Sequence, residues 1–282
     1  MTRSGQVRHL RFVATFLFSV VAVGYASGQE AAHQRWVRLT GAPNFRDLGG
    51  YSASEGRHVR WGRVYRSGFL ARLTAQDYEV LAGPGIAVVC DFRDDDERQA
   101  APTKWAAANP PAFLALGRTR SRQVMGARAR LAAGATPAEI REGWKASYVE
   151  SVALQTPSFR SSVQMLLEAN GPVLFHCSGG KDRTGMFSAL LLTMLGVEHA
   201  QVIQDYLLSN EVPPDQAIEI VAAKVKAPRE AVQAVTRVDV EYLDAMFREI
   251  DVQFGSIDNY RRNGLGISDT DLVALKTRLL DN

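Results

Sequence analysis

The sequence predicts one α/β domain. Two compact apolar runs, Ile86–Cys90 and Val173–Phe175, are bounded by turn-forming residues and are typical of buried strands. A strongly apolar helix, Thr184–Leu195, follows the second run, and mostly helical sequence continues from Gln201 onward. No repeat and no low-complexity linker interrupts residues 29–282, so we assign this range to a single domain.

The first 28 residues have the pattern of a Sec-type signal peptide. A basic start without acidic residues is followed by the apolar run Phe12–Tyr25 and then by small residues. The pattern predicts export to the periplasm or secretion, with cleavage after Ala26 or Gly28. The alternative is an uncleaved N-terminal anchor, although the apolar run is shorter than the about 20 residues that a membrane span needs.

Charge and cysteine content exclude several functional classes. The chain has 33 Lys and Arg against 30 Asp and Glu. Removing the leader takes away three arginines and no acid, so the mature chain is formally neutral and we predict no nucleic-acid partner.

Two cysteines cannot form a disulfide framework or a Cys-rich zinc site, and we expect neither a metal nor a cofactor. No later apolar stretch is long enough to cross a bilayer, so stable membrane insertion of the mature chain is not expected. Nothing in the sequence indicates an oligomeric state.

Shorter elements are predicted from turn residues and caps. Thr74 is a helix N-cap with Asp77 in the first turn, and Ser268 caps the last helix in a Ser-Asp-Thr-Asp box. The remaining predicted elements are strands at Trp36–Leu39, Val59–Trp61 and Val64–Arg66 and helices at Thr136–Glu150 and Pro157–Ala169.

One decapeptide, HCSGGKDRTG at His176–Gly185, concentrates the chemistry. It follows a buried strand and opens a buried helix, so loop N–H groups and the helix N-terminus can point at one oxyanion. Arg183 can bind two oxygens of a phosphate at once. Such donors favour a thiolate, so Cys177 is the expected nucleophile. The residues expected to hold the substrate are Ser178, Gly179, Gly180, Lys181 and Thr184.

This segment resembles the signature loop of cysteine-dependent protein tyrosine phosphatases. Its form, HCxxGKDRTG, is similar to bacterial members of dual or triple specificity that also act on phosphoinositides. Further matches extend the resemblance over most of the mature chain: Asn44–Gly50, Tyr65–Ser67, Asp91–Arg93 with Glu97, and Asp205–Asn210. The resemblance implies a protein tyrosine phosphatase-like fold, with a central, mostly parallel sheet flanked by helices and a helical lid at residues 118–150.

The resemblance also implies a two-step mechanism. Cys177 attacks phosphorus to form a phosphocysteine, while Arg183 and the loop amides hold the developing charge. A carboxylic acid protonates the leaving oxygen and then acts as base on water. The first candidate is Asp182; Asp91 and Asp95 are the alternatives, because the usual Trp-Pro-Asp loop is absent. As a second cation, Lys181 is expected to favour substrates with more than one phosphate, such as phosphoinositides.

Several residues are expected to support the loop rather than react. His176 is expected to orient the loop, while Asp91 and Arg93 either form an internal ion pair or take part directly. The residues expected to brace the site are Asn44, Arg46 and Asp47. A catalytically silent module that binds phosphorylated proteins or lipids is the alternative function, although an intact nucleophile favours an enzyme.

Two further features leave alternatives open. Cys90 ends a buried strand and is either a small core residue or a redox partner that forms a reversible disulfide with Cys177. A cluster of five arginines lies within thirteen residues that contain no acid, from Arg118 to Arg130. This cluster belongs either to a mobile lid over the pocket or to a solvated helix face.

Overall fold

A computed structural model describes Met1 and residues 34–106, 109–117, 130–212 and 215–281. The predicted leader at residues 2–28 and the arginines from Arg118 to Arg128 lie outside the described residues. From Gln34 onward the chain forms one compact unit. None of the described helices is both long and apolar enough to cross a membrane.

A five-stranded sheet lies at the centre of the described chain, in the order β1-β2-β5-β3-β4. The strands are β1 (Arg46–Asp47), β2 (Val64–Ser67), β3 (Val88–Asp91), β4 (Ala112–Ala115) and β5 (Val173–His176). All neighbours pair in parallel except β1, which runs antiparallel to β2. In this register His176 lies opposite both Ser67 and Asp91, so the carboxyl ends of β2, β5 and β3 meet at one edge. The predicted α/β class with a mostly parallel sheet is confirmed.

Helices flank this sheet. They are α1 (Ala75–Ala82), α2 (Asp95–Ala100), α3 (Pro137–Glu168), α4 (Arg183–Leu195), α5 (His199–Leu207), α6 (Asp215–Val225), α7 (Arg229–Thr236), α8 (Val240–Phe254) and α9 (Asp269–Leu279). Short turns of 3₁₀ or π type occur at Ser54–Gly56, Leu208–Glu211 and Tyr260–Gly264. The capping boxes that begin α1 at Thr74 and α9 at Ser268 are confirmed, each with an Asp three residues later. Almost every residue of α4 is buried, which places the start of this helix against the carboxyl end of β5.

Two predicted strands are wrong. Residues Trp36–Leu39 and Val59–Trp61 each contribute a single bridge, Trp36 to Arg46 and Val59 to Leu280. A ladder cannot extend there because the partners are a two-residue strand and the end of the last helix. Strand β4 was not predicted, since it is an edge strand whose residues are mostly exposed and carry no alternating pattern.

The two helices predicted before and after Pro157 are one helix, α3. An interior proline removes a backbone hydrogen bond and costs about 3 kcal/mol. The buried side chains Tyr148, Val152 and Phe159 keep helical spacing across the proline and pack into the main core, which outweighs that cost. Residues 137–150 of the expected lid are therefore the first half of a long core helix that contacts α7 and α8.

Candidate active site

The signature loop, residues 177–182, connects β5 to α4 at the edge where the parallel strands end. It is pressed against the end of β2, where the Phe69 N–H donates to the Ser178 carbonyl over 3.0 Å. Gly180 has a φ of +67°, and a Cβ there would lie 2.4 Å from the Gly68 nitrogen. Only glycine therefore allows the loop to approach the strand this closely.

Cys177 lies at the bottom of this loop and is 2% exposed. Its Sγ accepts the backbone N–H of Gly180 over 3.3 Å. The N-terminus of α4 follows in the chain, with Asp182 as its N-cap. The Cys177 sulfur therefore faces a backbone donor and lies near the N-terminus of a helix, and both features stabilise negative charge that develops there.

Arg183 is held by Glu97, a residue of α2 to which the sequence assigned no role of its own. Arg183 Nη1 donates to Glu97 Oε2 (2.7 Å) and to the Phe92 carbonyl (2.9 Å), and Nη2 donates to Glu97 Oε1 (2.9 Å). Of the five guanidinium N–H groups, the Nε–H and one Nη2–H are left without an acceptor among the described residues. These two hydrogens lie on the same edge of the guanidinium and form the fork that a phosphate accepts.

The charge of Glu97 is fixed by the same contacts. Burial alone would raise its pKa, but the hydrogen bonds and charge of Arg183 outweigh burial and bring the pKa to about 2. The Ser178 hydroxyl adds a hydrogen bond of 2.6 Å to Oε1. The Glu97–Arg183 ion pair therefore persists well into the acidic range.

Glu97→Gln is expected to lower kcat/KM by about tenfold or more, measured with a small aryl phosphate. The amide cannot accept two guanidinium N–H bonds, and a hydrogen bond to a charged group contributes about 1.5–3 kcal/mol. Asp96→Asn is the matched control, because it removes one charge from the neighbouring exposed position of α2. Equal kcat/KM for the two variants would show that Glu97 does not orient Arg183.

Asp182 lies at the mouth of the loop with its side chain 21% exposed. Its Oδ1 accepts from Lys181 Nζ (3.1 Å) and from the Tyr148 hydroxyl of α3 (3.0 Å). Lys181 Nζ also lies 4.4 Å from the ring centroid of Trp144, one turn before Tyr148. Helix α3 thus contributes two aromatic residues to the pocket mouth, and sequence analysis identified neither.

The other two carboxylates considered as the acid are placed differently. Asp91 is bound by Arg93 through Nε (3.0 and 3.1 Å) and Nη2 (2.8 Å), and both side chains are buried. This is the internal ion pair that was one of the two expectations. Asp95 is 85% exposed on α2 and pairs with Arg98. Asp182 is therefore the candidate that combines a position on the loop with a partly exposed carboxylate that no arginine binds among the described residues.

A buried ionic cluster supports the loop from below. Arg66 Nη2 and Asn44 Nδ2 both donate to the Gly180 carbonyl, over 2.8 and 2.9 Å. Asp205 pairs with Arg46 (3.0 Å) and with Arg66 (2.5 Å). Burial would raise the pKa of Asp205, but the two guanidinium groups hold it well below its usual range. Burial and the like charge of Arg66 lower the pKa of Arg46 to about 10.

Asn44 and Arg46 thus lie beneath the loop, whereas Asp47 does not contact it. Asp47 accepts the backbone N–H groups of Gly49 and Gly62, each over 2.7 Å. Its carboxylate therefore stabilises the turns that contain Gly49 and Gly62 rather than the signature loop. The other members of the buried cluster, Arg66 and Asp205, lie within the short motifs that carried the resemblance, but the sequence does not predict that Arg66 binds the loop or that Asp205 pairs with Arg66.

The side chains of His176 and Thr184 are buried at the two ends of the signature loop. His176 is fully buried with Nε2 3.5 Å from Asp91 Oδ2, and neither ring nitrogen forms a hydrogen bond within the described residues. Burial lowers the pKa of His176 to about 4, so the ring is neutral at neutral pH. The buried Thr184 hydroxyl has no hydrogen-bond partner among the described residues either.

Both cysteines are free thiols. Cys90 is fully buried on β3, and burial with the nearby Asp91 charge raises its pKa to about 12. Cys90 is therefore a neutral thiol within the core at neutral pH, and a disulfide with Cys177 stays a prediction. Among the described residues, no three His, Cys, Asp or Glu side chains are grouped as metal ligands.

A model of the tyrosine phosphatase family matches residues 37–281, which is most of the chain. The chain belongs to the tyrosine phosphatase family. A protein of Cupriavidus necator named as a tyrosine-protein phosphatase is 33% identical over 232 residues, which cover 81% of this chain and 84% of the relative. The triple specificity protein phosphatase PtpB of Mycobacterium tuberculosis is 28% identical over 289 residues, covering 86% of this chain and 98% of PtpB.

A solved structure, TpbA of P. aeruginosa, aligns with 67% of this chain and 89% of its own at 22% identity and a TM-score of 0.33. A score this low does not bear on function. The family match and the relatives confirm the predicted family and the predicted enzyme class. The chain is a phosphoric monoester hydrolase of the protein tyrosine phosphatase type.

Proposed function

We propose that this phosphatase works in two steps through a phosphocysteine on Cys177. The observation that carries the proposal is the buried Cys177 sulfur facing a loop N–H, with the free fork of Arg183 at the start of the helix that follows the loop. In the first step the sulfur attacks phosphorus and the bond to the leaving oxygen breaks. Arg183 and the loop amides stabilise the charge that develops on the phosphoryl oxygens.

We assign the general acid to Asp182. In the first step its carboxyl proton passes to the leaving oxygen, and Asp182 becomes a carboxylate. In the second step the carboxylate takes a proton from water, whose oxygen attacks phosphorus while the Cys177 thiolate leaves. The placement of Asp182 at the loop supports this assignment, because Asp91 is bound by Arg93 and Asp95 is directed to solvent.

We propose phosphotyrosine as a substrate, with phosphoserine or phosphothreonine and phosphoinositides as further ones. The name of the relative PtpB supports the wider range, because it is a triple specificity phosphatase. Lys181 supports phosphoinositides, because it places a second cation at the pocket mouth beside Arg183. The reactive thiol favours this function over a silent phosphate-binding module, which needs no nucleophile.

We also propose that the protein acts in the periplasm or is secreted. The support is the basic, apolar and small-residue pattern of residues 1–28.

The mechanism is tested by trapping the intermediate. The enzyme is mixed with a small aryl phosphate, quenched within the first turnover and digested for mass spectrometry. We expect one phosphoryl group on the peptide that contains Cys177. Turnover without phosphocysteine would contradict the mechanism. The same preparation is assayed on phosphotyrosine, phosphoserine and phosphothreonine peptides and on phosphoinositides, and inactivity on all of these substrates would contradict the proposed specificity.

A further inference from the structure

Two buried tyrosines form a hydrogen-bonded chain that ends on Asp182. The Tyr206 hydroxyl of α5 donates to the Tyr148 hydroxyl of α3 over 2.8 Å. The Tyr148 hydroxyl donates to Asp182 Oδ1 over 3.0 Å. Both tyrosines are fully buried, so the chain runs from the core to the pocket mouth.

The direction of this chain is determined by its hydrogens. Burial and the nearby Asp182 charge raise the pKa of both tyrosines well above the usual range, so each hydroxyl keeps its single hydrogen. Since the Tyr148 oxygen accepts from Tyr206, the hydrogen of Tyr148 is free to point at Asp182. The carboxylate therefore receives a donor whose orientation is set from inside the core.

The second oxygen of Asp182 is in a different position. Oδ1 takes both donors, Tyr148 Oη and Lys181 Nζ. Oδ2 forms no hydrogen bond with any residue that the structure describes, while the side chain as a whole is 21% exposed. The two carboxyl oxygens are thus distinguished by their partners.

We propose that Tyr148, supported by Tyr206, is a positioning residue for the general acid. It holds Oδ1 as the acceptor and leaves Oδ2 as the oxygen that gives its proton to the leaving group. The inference rests on the proposed role of Asp182 as the acid.

The chain also matches the change in charge during the reaction. When the Oδ2 proton passes to the leaving oxygen, Asp182 gains a negative charge next to the hydrogens of Tyr148 and Lys181. A hydrogen bond that strengthens as this charge appears stabilises the transition state more than the ground state. Losing such a bond should therefore slow those reactions in which proton transfer to the leaving group matters.

A role in core packing alone makes a different prediction. The Tyr148 ring packs against Tyr206 and Tyr242, with centroid distances of 6.4 and 5.7 Å. Tyr242 touches the same ring, but its hydroxyl forms no hydrogen bond with the described residues. Tyr242→Phe is therefore the matched control, because it removes a buried hydroxyl beside the chain without breaking it.

The test is a series of aryl phosphates from good to poor leaving groups, assayed for kcat/KM, which reports the first chemical step, with Tyr148→Phe, Tyr206→Phe, Tyr242→Phe and Asp182→Asn. We expect Tyr148→Phe to lose about tenfold on the poorest leaving group and little on the best, because a good leaving group departs without a proton. Tyr206→Phe should lose less in the same direction, and Tyr242→Phe should match the wild type.

The outcomes separate this inference from the assignment of the acid. If Tyr148→Phe loses the same factor in rate on every substrate of the series, Tyr148 does not position the acid and has only a role in core packing. If the loss of rate in Asp182→Asn is the same for every leaving group, Asp182 is not the acid, and this inference fails with that assignment. If circular dichroism shows that Tyr148→Phe is unfolded, Tyr206→Phe becomes the test variant. A Tyr206→Phe rate that depends on the leaving group just as the wild-type rate does would then overturn the proposal.

Discussion

Cys177→Ser is expected to abolish turnover of every phosphate monoester, with kcat falling by about four orders of magnitude or more. A serine hydroxyl is far less acidic than a thiol, and no described residue near Cys177 is placed as a base to deprotonate it. His176 precedes position 177, but its ring is fully buried and burial lowers its pKa to about 4, so it is a weak base. The variant should therefore lack a nucleophile at neutral pH.

Phosphate binding should survive this substitution. The loop amides and the free fork of Arg183 do not depend on the sulfur, and oxygen is the smaller atom. Binding is measured as the rise in Tm with increasing inorganic phosphate, which should be similar in the variant and the wild type.

The control for Cys177→Ser is Cys90→Ala, which removes the other thiol from the interior of β3. This variant should lose some stability through its cavity and keep its turnover. Turnover that survives in Cys177→Ser would contradict the phosphocysteine mechanism. Loss of turnover in Cys90→Ala, if it remains folded, would show that the second thiol also takes part.

The signature loop could be predicted because its chemistry is local. Ten consecutive residues supply the thiol, the guanidinium and three glycines, and apolar sequence on both sides identifies the strand and the helix that hold them. The parallel sheet follows from the same kind of evidence. A resemblance carried by short motifs in the same order then extended these predictions to most of the chain.

The partners of the loop could not be predicted because they come from distant segments. Glu97, Tyr148 and Asp205 have no local pattern that distinguishes an ion-pair or hydrogen-bond partner from an ordinary helix residue. Glu97 and Tyr148 meet the loop only because β3 and β5 end at the same edge and α3 passes over it, and Asp205 acts on the loop only through Arg66. The choice among the three candidate aspartates likewise depends on contacts that spacing does not show, because Asp91 and Asp95 are each paired with an arginine.

The long helix α3 shows how burial can outweigh a local signal. Pro157 indicates a boundary, but the buried side chains around it keep the helix continuous. Continuity of this helix is what fixes Trp144 and Tyr148 over the loop. Both residues lie within the predicted helix Thr136–Glu150, but their contacts with Lys181 and Asp182 depend on where that helix packs, which the sequence does not show.

Asp205→Ala is expected to lower the free energy of unfolding by about 3–5 kcal/mol at neutral pH, measured by urea denaturation. Asp205 is the shared carboxylate of two fully buried arginines, Arg46 and Arg66. Removing it leaves two like charges in the core without compensation. Because Arg66 also donates to the Gly180 carbonyl, the loop should lose its support and kcat/KM should fall in the remaining folded protein.

The matched control is Asp269→Ala, because Asp269 also pairs with two arginines but is 72% exposed. An exposed ion pair contributes about 1 kcal/mol or less, so the control should lose no more than that.

The stabilisation that Asp205 contributes should decrease at low pH. The pKa of Asp205 is held below its usual range in the folded protein, so the stabilisation is complete at neutral pH and is lost as the pH falls through the carboxyl range. The difference in the free energy of unfolding between wild type and Asp205→Ala should therefore narrow as the pH falls. An equal loss of stability in Asp205→Ala and Asp269→Ala at neutral pH would show that the buried cluster does not stabilise the fold.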